Sequence, residues 1–455
     1  MPTITLSRRQ GIQLAVCAMV FGLVLRAMVG MLYYNTFDLA WYRTWALELQ
    51  NGFFDCYARM MEGTYALDYP PVYLVFLFLV GRLYGLLPIA DYEMTDMLAM
   101  KFFPILFDVL AAGMLYLSLR RHSEIMGVAA AFLWALNPSA IFNCAAWGQT
   151  DGMMIFLLLL AFTVVEGDHP VLGSVLFAVA VLTKMQSLYF APAIILFLLR
   201  RRGPQRTVIC AGAAMATGVA AFLPFIIGSW RAKGWMSILL PFEVYFGGLG
   251  KYPYAALNTY NLYGLPNLNW VWDGQSILFG TYDAEMDCRT GGFTIHLLGL
   301  ILTVAALALL VAVMLRGRRD HDNLWIGGFL FMQCVFMLAT RMHERYQLAV
   351  LPFALILFVR LCSWRWLWMY TSLSLVTLVN QFMLLIRNNT INDPTAPWSA
   401  IFHPVQTVFS AINLLLFAWS VYEVCRYAFS KNYPMPVYTA VIPAENPESH
   451  QEVSP

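Results

Sequence analysis

Residues 11–32 of the chain read GIQLAVCAMVFGLVLRAMVGML, and Arg26 is the only charged side chain among them. A segment of this length and composition can cross the hydrocarbon core of a bilayer, roughly 30 Å thick, as one α-helix. It is too long for the apolar region of a cleavable signal peptide, and it lacks a small-residue cleavage site. The sequence therefore predicts a helix that enters a membrane near the N-terminus and stays there.

The whole chain has the same apolar character. Of its 455 residues, 60% are hydrophobic and 12% are charged, and the mean hydropathy is +0.64. About a quarter of the residues in a typical soluble domain are charged. This composition excludes a soluble globular protein, a nucleic-acid-binding protein and a disordered scaffold. The net charge of +2 does not discriminate further, because in a membrane protein the side on which the charges lie matters more.

Long apolar segments recur along the chain, and in lipid each must be helical because every backbone polar group needs an internal partner. We predict an all-α, polytopic membrane protein with about twelve spanning helices. They cover residues 11–32, 101–119, 125–142, 149–166, 169–184, 186–200, 207–228, 293–315, 323–340, 347–361, 366–386 and 405–428. A further apolar stretch, 70–88, contains three prolines and Arg82, which makes it a poor spanning helix. If it crosses, Arg8 and Arg9 move to the outer side; we favour the alternative, in which it lies in the membrane interface or forms a re-entrant hairpin.

Arginine clusters fix the expected orientation, because short cytoplasmic loops are enriched in basic residues. The clusters are Arg8 and Arg9, Arg120 and Arg121, Arg200 to Arg202 with Arg206, Arg316 with Arg318 and Arg319, and Arg360 with Arg365. The loops expected on the outer side are then 33–100, 143–148, 229–292, 341–346 and 387–404. The tail, 431–455, is rich in Pro and Glu and is expected to be disordered on the cytoplasmic side.

Polar residues gather at the predicted outer turns. Asp38 follows the first span and opens a short segment on which Trp41, Trp45 and Leu49 share a face at helical spacing. Its carboxylate is either a helix N-cap or a reacting group. Residues 68–71 (DYPP) are either a rigid helix start or part of the same pocket.

Two more outer turns carry polar side chains. Residues 147–151 (WGQTD) place an indole, an amide and a carboxylate between two spans, either to cap the next helix or to bind a ligand. Lys184 lies at a neighbouring turn, where it either extends to the interface or holds a phosphate. Residues 341–346 (RMHERY) form the densest group. An interfacial anchor accounts for Arg and Tyr there, but His adds little to anchoring, which favours a functional role.

Three further features of the sequence each fit more than one interpretation. Arg26 and Asp108 lie inside predicted spans, where each needs a partner or a watery cavity; an ion pair between them is the structural alternative. The loop 229–292 is rich in Tyr, Trp, Asn and Gly, which suits either sugar rings or an interfacial cap. The eight cysteines show no metal-ligand spacing, and pairing of Cys56 with Cys288 is left open.

The ordered set of motifs resembles the class C (GT-C) glycosyltransferases that use polyprenyl-phosphate sugars. The similarity is greatest to prokaryotic relatives of the GPI mannosyltransferases and next to the dolichyl-phosphate-glucose α-glucosyltransferases. It rests on Asp38, Asp68-Tyr69-Pro70-Pro71, Trp147-Gly148-Gln149-Thr150-Asp151, Leu182-Thr183-Lys184-Met185-Gln186 and Met342-His343-Glu344-Arg345-Tyr346. The glucosyltransferases carry a His-containing motif where this chain has Trp147 to Asp151, which leaves the sugar undecided.

The resemblance implies a GT-C fold whose first outer loop holds two interfacial helices that do not return across the membrane. It implies that Asp38 is the catalytic carboxylate and that the family's His-Glu-Lys or His-Glu-Arg motif is His343-Glu344-Arg345. Leu39 follows Asp38 where some relatives have a second acid, so no metal or other cofactor is proposed. The cations expected to hold the donor phosphate are His343, Arg345, Arg341, Lys184 and, more weakly, Arg26. The residues expected to position substrate are Asp68, Tyr69, Trp147, Gln149, Asp151 and Glu344.

The predicted function is inverting transfer of a hexose, mannose or glucose, from a polyprenyl-phosphate sugar to a lipid-linked glycan or another cell-surface acceptor. It would take place on the outer or luminal face, with a bacterial plasma membrane favoured over the endoplasmic reticulum. The alternatives are a transporter or flippase of lipid-linked sugars and a non-catalytic scaffold of the same fold. The expected division is a catalytic module, 1–228, with its outer loop 33–100, then the long outer loop 229–292, a variable C-terminal module, 293–430, and the tail.

Overall fold

The computed structural model describes residues 6–32, 38–61, 66–87, 89, 93–283, 288–317, 323–390 and 399–430. The predicted disordered tail, 431–455, lies outside the described residues. The α-helices are α1 Arg8–Leu32, α2 Asp38–Glu48, α3 Cys56–Met60, α4 Pro71–Leu86, α5 Met94–Leu119, α6 Glu124–Ala135, α7 Pro138–Ile141, α8 Asp151–Glu166, α9 Pro170–Thr183, α10 Ala191–Lys233, α11 Leu240–Gly250, α12 Ile295–Arg316, α13 Asn323–Leu338, α14 Leu351–Arg360, α15 Trp364–Thr390 and α16 Ser399–Phe429.

Shorter elements connect these helices. Four 3₁₀ segments cover Leu49–Asn51, Met185–Phe190, Gly234–Leu239 and Tyr346–Val350, and a π-helical turn covers Phe142–Trp147. Strands β1 Ile277–Asp283 and β2 Cys288–Thr294 form an antiparallel hairpin. The helical class predicted from sequence is confirmed, and the hairpin in the long outer loop is an addition that the sequence did not predict.

The predicted apolar segments fall on helices, but the count of twelve spans stays a prediction. Six helical segments of the described chain are long and apolar enough to cross a membrane, or seven if a pair bent by 44° counts as one span. That pair replaces the straight span expected over 125–142. The break lies at Asn137-Pro138: Pro138 lacks a backbone N–H, and the Asn137 side chain accepts hydrogen bonds from the backbone N–H groups of Ser139 and Ala140.

A break between two spans is expected in the arginine-rich stretch near residue 203. There α10 consists of two helices joined at Gly203, whose φ of 81° and ψ of 169° are not helical. Glycine adopts a positive φ without the steric cost that a Cβ would bring. The break between the two helices is therefore a single residue and not a longer loop.

The first outer loop folds into helices that pack on one another through aromatic side chains. The buried face of α2 consists of Leu39, Tyr42, Trp45 and Ala46, and Leu49 in the 3₁₀ segment that follows is buried too. The predicted face is thus rotated slightly, and Trp41 is only half-buried. Tyr42 and Trp45 contact Tyr69, and the ring of Tyr42 also contacts Tyr73 at the start of α4. Burial of these rings fixes α2 against α4, and with it the position of Asp38 at the N-terminus of α2. Cys56, in the same cluster, is a buried free thiol.

The segment 255–269 of the long outer loop is anchored to the C-terminal helices by amide side chains. Asn261 donates to the carbonyl of Phe336 at 3.1 Å, Asn380 donates to the carbonyl of Asn258 at 2.6 Å, and Asn413 donates to the carbonyl of Tyr260 at 2.7 Å. Hydrogen bonds that replace water in this way hold irregular backbone against a bundle. The loop in turn packs on residues 341–346.

Candidate active site

Asp38 accepts two hydrogen bonds from a turn more than a hundred residues away. The indole N–H of Trp147 donates to Asp38 Oδ2 at 2.5 Å, and Gln149 Nε2 donates to the same oxygen at 3.0 Å. Trp147 and Gln149 are buried, whereas Asp38 is only half-buried. The structure therefore brings together three residues that the sequence singled out, and it holds one carboxylate oxygen with two donors.

Gly148 allows this turn to approach α2. The residue ends the π-helical turn with a φ of 83°, and a Cβ built there would lie 2.6 Å from Leu39 Cδ2. Leu39 follows Asp38 directly and is fully buried. A side chain at this position would therefore be strained and would displace the start of α2.

Tyrosine hydroxyls fix the orientation of Gln149. Tyr42 donates to Gln149 Oε1 at 3.3 Å, and the hydroxyls of Tyr42 and Tyr69 are 3.0 Å apart. Tyr57 donates to the carbonyl of Tyr69 at 2.7 Å. Burial raises the pKa of Tyr69 to about 12, so its hydroxyl stays protonated at neutral pH. With its oxygen occupied, the Gln149 amide presents its nitrogen to Asp38.

Two cationic side chains lie beside Asp38, Trp147 and Gln149, and buried carboxylates hold them. Lys184 Nζ is 2.6 Å from Asp151 Oδ1, and Asn143 donates to Asp151 Oδ2 at 3.2 Å. Arg345 Nη1 is 2.6 Å from Glu344 Oε1, and Arg345 Nε is 3.9 Å from Asp151 Oδ2. Asp151 thus connects a cation from the 183–186 turn with one from the 341–346 turn.

Arg345 also stacks on aromatic rings. Its guanidinium lies 5.3 Å from the ring centroid of Trp147 and 5.6 Å from that of Tyr346. Such cation–π contacts hold a planar cation without neutralising it. Trp147 therefore contacts both the carboxylate of Asp38 and the cation of Arg345, which places the two charges around one space.

The 341–346 turn carries charges that influence one another. Burial lowers the pKa of His343 despite the opposing effect of Glu344. Burial alone would raise the pKa of Glu344, but Arg345 and His343 together bring it below its usual range. The charge of Asp38 acts on the pKa of both His343 and Arg345. We conclude that Asp38, His343 and Arg345 share one electrostatic environment.

An ion pair that the sequence did not predict joins the first outer loop to the long outer loop, next to this group. Lys251 Nζ is 2.6 Å from Asp68 Oδ2 and 4.5 Å from the ring centroid of Trp41. The ring of Tyr252 packs edge-on against His343, with centroids 5.2 Å apart. In the sequence, the one feature that distinguishes Lys251 is that it is an isolated charge in an aromatic loop. Asp68, expected from the sequence to position substrate, pairs with Lys251 in the structure, and its role at the substrate stays a prediction.

Two of the expected phosphate-binding cations do not join the group. Arg26 is fully buried and pairs with Asp108 at 2.6 Å, and it also donates to the carbonyl of Ala135 at 2.6 Å. Arg341 pairs with the buried Asp273 at 2.8 Å. Because a lone charge at such depth is costly, the Arg26–Asp108 pair fits the structural alternative. We therefore leave Arg26 and Arg341 out of the proposed site.

Metal ligands are not grouped in the part of the chain that the structure describes. Among those residues, no set of three or more His, Cys, Asp and Glu side chains is arranged to hold a metal ion.

Part of the chain is similar to one known protein family. The model of the ALG6, ALG8 glycosyltransferase family matches residues 44–249. This range contains Trp147, Gln149, Asp151 and Lys184, and it lies between Asp38 and the 341–346 turn. A sequence search of curated proteins gives no match.

Among solved structures, the chain is similar to an oligosaccharyltransferase from Archaeoglobus fulgidus. The apo form is 14% identical, with 92% of this chain and 56% of that chain covered and a TM-score of 0.42. The form tethered to an acceptor peptide is 13% identical, with 90% and 54% covered and a TM-score of 0.37. The complex with an inhibitory peptide and a dolichol-phosphate is 12% identical, with 90% and 55% covered and a TM-score of 0.39. The chain spans little more than half the length of these structures.

Proposed function

We propose that this chain is a glycosyltransferase of the GT-C superfamily that transfers a hexose from a polyprenyl-phosphate donor with inversion at C1. The proposed acceptor is a lipid-linked glycan or another cell-surface glycan on the outer face, and mannose or glucose is the proposed sugar. The single observation that carries this proposal is the arrangement of Asp38, which Trp147 and Gln149 hold beside Arg345.

In the proposed reaction Asp38 is the general base. An acceptor hydroxyl attacks C1 of the donor sugar and passes its proton to the carboxylate. Two hydrogen bonds to one oxygen fix the direction of the carboxylate before the substrate binds. Positioning of this kind removes the cost of arranging the base during the reaction.

Lys184, Arg345 and His343 are the proposed partners of the donor phosphate. Negative charge grows on the leaving phosphate as the sugar becomes oxocarbenium-like, and fixed donors at that position stabilise it. Asp151 and Glu344 hold the two cations in place, so little reorganisation is needed. Burial lowers the pKa of His343, which suits it to donate a hydrogen bond as a neutral imidazole.

The remaining partners follow from the membrane setting. The isoprenoid tail of the donor would lie in lipid between helices, and Asp68, Tyr69 and Glu344 would border the sugars. A multi-pass membrane protein is supported by the spans described above, and we propose a bacterial plasma membrane over the endoplasmic reticulum as its location.

The test is a transfer assay with the purified full-length protein in lipid. A panel of polyprenyl-phosphate hexoses and pentoses is incubated with it, and sugar release is measured beside Asp38→Asn. We expect release from one donor, lowered by about two to four orders of magnitude in Asp38→Asn, with donor binding nearly unchanged. Binding of lipid-linked sugars without release, identical in both proteins, would support the transporter or scaffold alternative instead. Release at the wild-type rate by Asp38→Asn would remove Asp38 from its proposed role.

A further inference from the structure

Between residues 254 and 272, the aromatic side chains of the long outer loop divide into two groups. Tyr260 and Tyr263 are buried against the C-terminal helices, whereas Trp270 and Trp272 remain 46% and 50% exposed. Tyr254 lies between the two indoles, with ring centroids 5.2 Å from Trp270 and 5.8 Å from Trp272. We call Tyr254, Trp270 and Trp272 the outer aromatic platform.

Backbone contacts hold the platform rigidly. Tyr254 and Trp272 form an antiparallel bridge, and the backbone N–H of Trp270 donates to the carbonyl of Ala256 at 3.1 Å. Trp270 itself has a φ of 60°, a conformation that costs a residue other than glycine about 1 kcal/mol or more. The ring contact with Tyr254 and the backbone hydrogen bond to Ala256 hold Trp270 in this conformation, and its indole remains half-exposed.

The platform is continuous with the proposed active site. The backbone N–H of Arg341 donates to the carbonyl of Tyr254 at 3.0 Å, and that of Leu257 donates to the carbonyl of Met342 at 3.3 Å. Tyr252, which contacts His343, precedes Tyr254 by two residues. The backbone N–H of Tyr254 donates to the carbonyl of Tyr252 at 2.8 Å, so a tight turn keeps the two residues close together.

We propose that the outer aromatic platform binds the neutral glycan of the acceptor, beyond the hydroxyl that reacts. Apolar C–H faces of hexose rings stack on indole and phenol rings. The three side chains carry no charge at neutral pH, so the platform suits uncharged sugar rings better than phosphate groups. Rigid aromatic side chains also lose little conformational entropy when they bind. This inference rests on the proposed function and names a part of its acceptor site.

The first test measures binding without catalysis. Full-length protein in lipid nanodiscs is placed in equilibrium dialysis against radiolabelled gluco- and manno-oligosaccharides of one to six units. The variants are Trp270→Ala, Trp272→Ala and the conservative Trp272→Tyr. The matched control is Trp235→Ala, which removes a tryptophan that is 76% exposed on the 3₁₀ segment Gly234–Leu239.

We expect the wild-type protein to bind the longer oligosaccharides of one series. Each alanine variant should weaken that binding about two- to ten-fold, the range for one aromatic contact, while Trp272→Tyr and Trp235→Ala bind as the wild type does. Absence of binding by the wild type, or equal binding by all variants, would overturn the inference. An equal loss in Trp235→Ala would do so too, because it would indicate a general role of exposed tryptophans in the membrane interface.

A second test separates this inference from the proposed function. The transfer assay is repeated with synthetic prenyl-linked acceptors that carry one, three or five hexoses. In the alanine variants we expect a higher KM for the longer acceptors and an unchanged KM and kcat for the shortest. Binding that depends on the platform, without any transfer by the wild type, would leave the inference standing and defeat the proposed function. If transfer occurs but its KM is the same in the wild type and in both alanine variants at every acceptor length, the proposed function stands and the inference is wrong.

Discussion

The hydrogen bond from Trp147 to Asp38 leads to a quantitative prediction. Trp147→Phe removes the indole N–H, which lies 2.5 Å from Asp38 Oδ2, and keeps an aromatic ring beneath Arg345. A hydrogen bond to a charged group is worth about 1.5–3 kcal/mol. If this bond fixes the base in the transition state, its loss should lower kcat about 10- to 150-fold, since each 1.36 kcal/mol is about tenfold. Gln149 would remain as the second donor.

The assay is single-turnover sugar transfer with the donor found in the panel, together with equilibrium binding of that donor. We expect kcat to fall while the donor Kd changes less than about threefold, because the donor phosphate is assigned to other residues. Thermal unfolding of the variant should be measured in the same lipid, so that a loss of fold is not mistaken for a loss of catalysis.

Trp134→Phe is the matched control. Trp134 is also fully buried, and its indole N–H donates to the backbone carbonyl of Asp108 at 3.2 Å, away from Asp38. Both substitutions remove one hydrogen bond and similar volume, so both should lower stability, and only Trp147→Phe should lower kcat. An unchanged kcat in Trp147→Phe, or an equal fall in Trp134→Phe, would refute the reasoning.

Three further predictions concern the same group of residues. Gly148→Ala should destabilise the protein by about 1–3 kcal/mol and lower kcat, because its Cβ would meet Leu39 at a left-handed φ; Gly212→Ala, in a helix with nothing within 4 Å, should leave kcat unchanged and raise stability by up to about 1 kcal/mol in transfer and unfolding assays. Lys184→Met should cost about 3–5 kcal/mol by leaving Asp151 buried without its cation, and adding Asp151→Asn should restore part of the thermal stability; no recovery in the double variant would contradict this. Because burial lowers the pKa of His343, the unfolded chain binds a proton that the folded protein does not. The contribution of His343 to stability should therefore be fully present above about pH 6.5 and be lost as the pH falls. Melting temperatures measured over a pH series should change less in His343→Gln than in the wild type.

The sequence predicted some contacts of the site and missed others for identifiable reasons. Asp38, Trp147 and Gln149 were each recognised as polar residues at outer turns, and the order of the motifs placed them in one family pattern. Lys251 and Asp273 were missed, since a single charge in an aromatic loop carries no periodicity or spacing signal. Arg341 was assigned to the phosphate because it shares a dense motif with His343, although Asp273 holds it instead.

The position of helix boundaries was also decided outside the local pattern. The apolar stretch over 125–142 has the length of a span, yet Asn137 and Pro138 break it and start a new helix. A run of arginines predicted a break between two spans near residue 203, and the non-helical backbone of Gly203 separates the two helices of α10 there. At Asn137 and Pro138 one backbone conformation overrides hydropathy, because hydropathy averages over many residues.

The sequence by itself determined that the protein is helical and lies in a membrane. Apolar length and the need to satisfy every backbone polar group inside lipid leave no other structure for these segments. Only the tertiary structure decided which charges neutralise each other and which surround a common space. Arg26 meets Asp108, and Trp147 meets Asp38, across 82 and 109 positions of sequence. Contacts over such separations follow from how buried helix faces pack, which no local pattern of residues specifies.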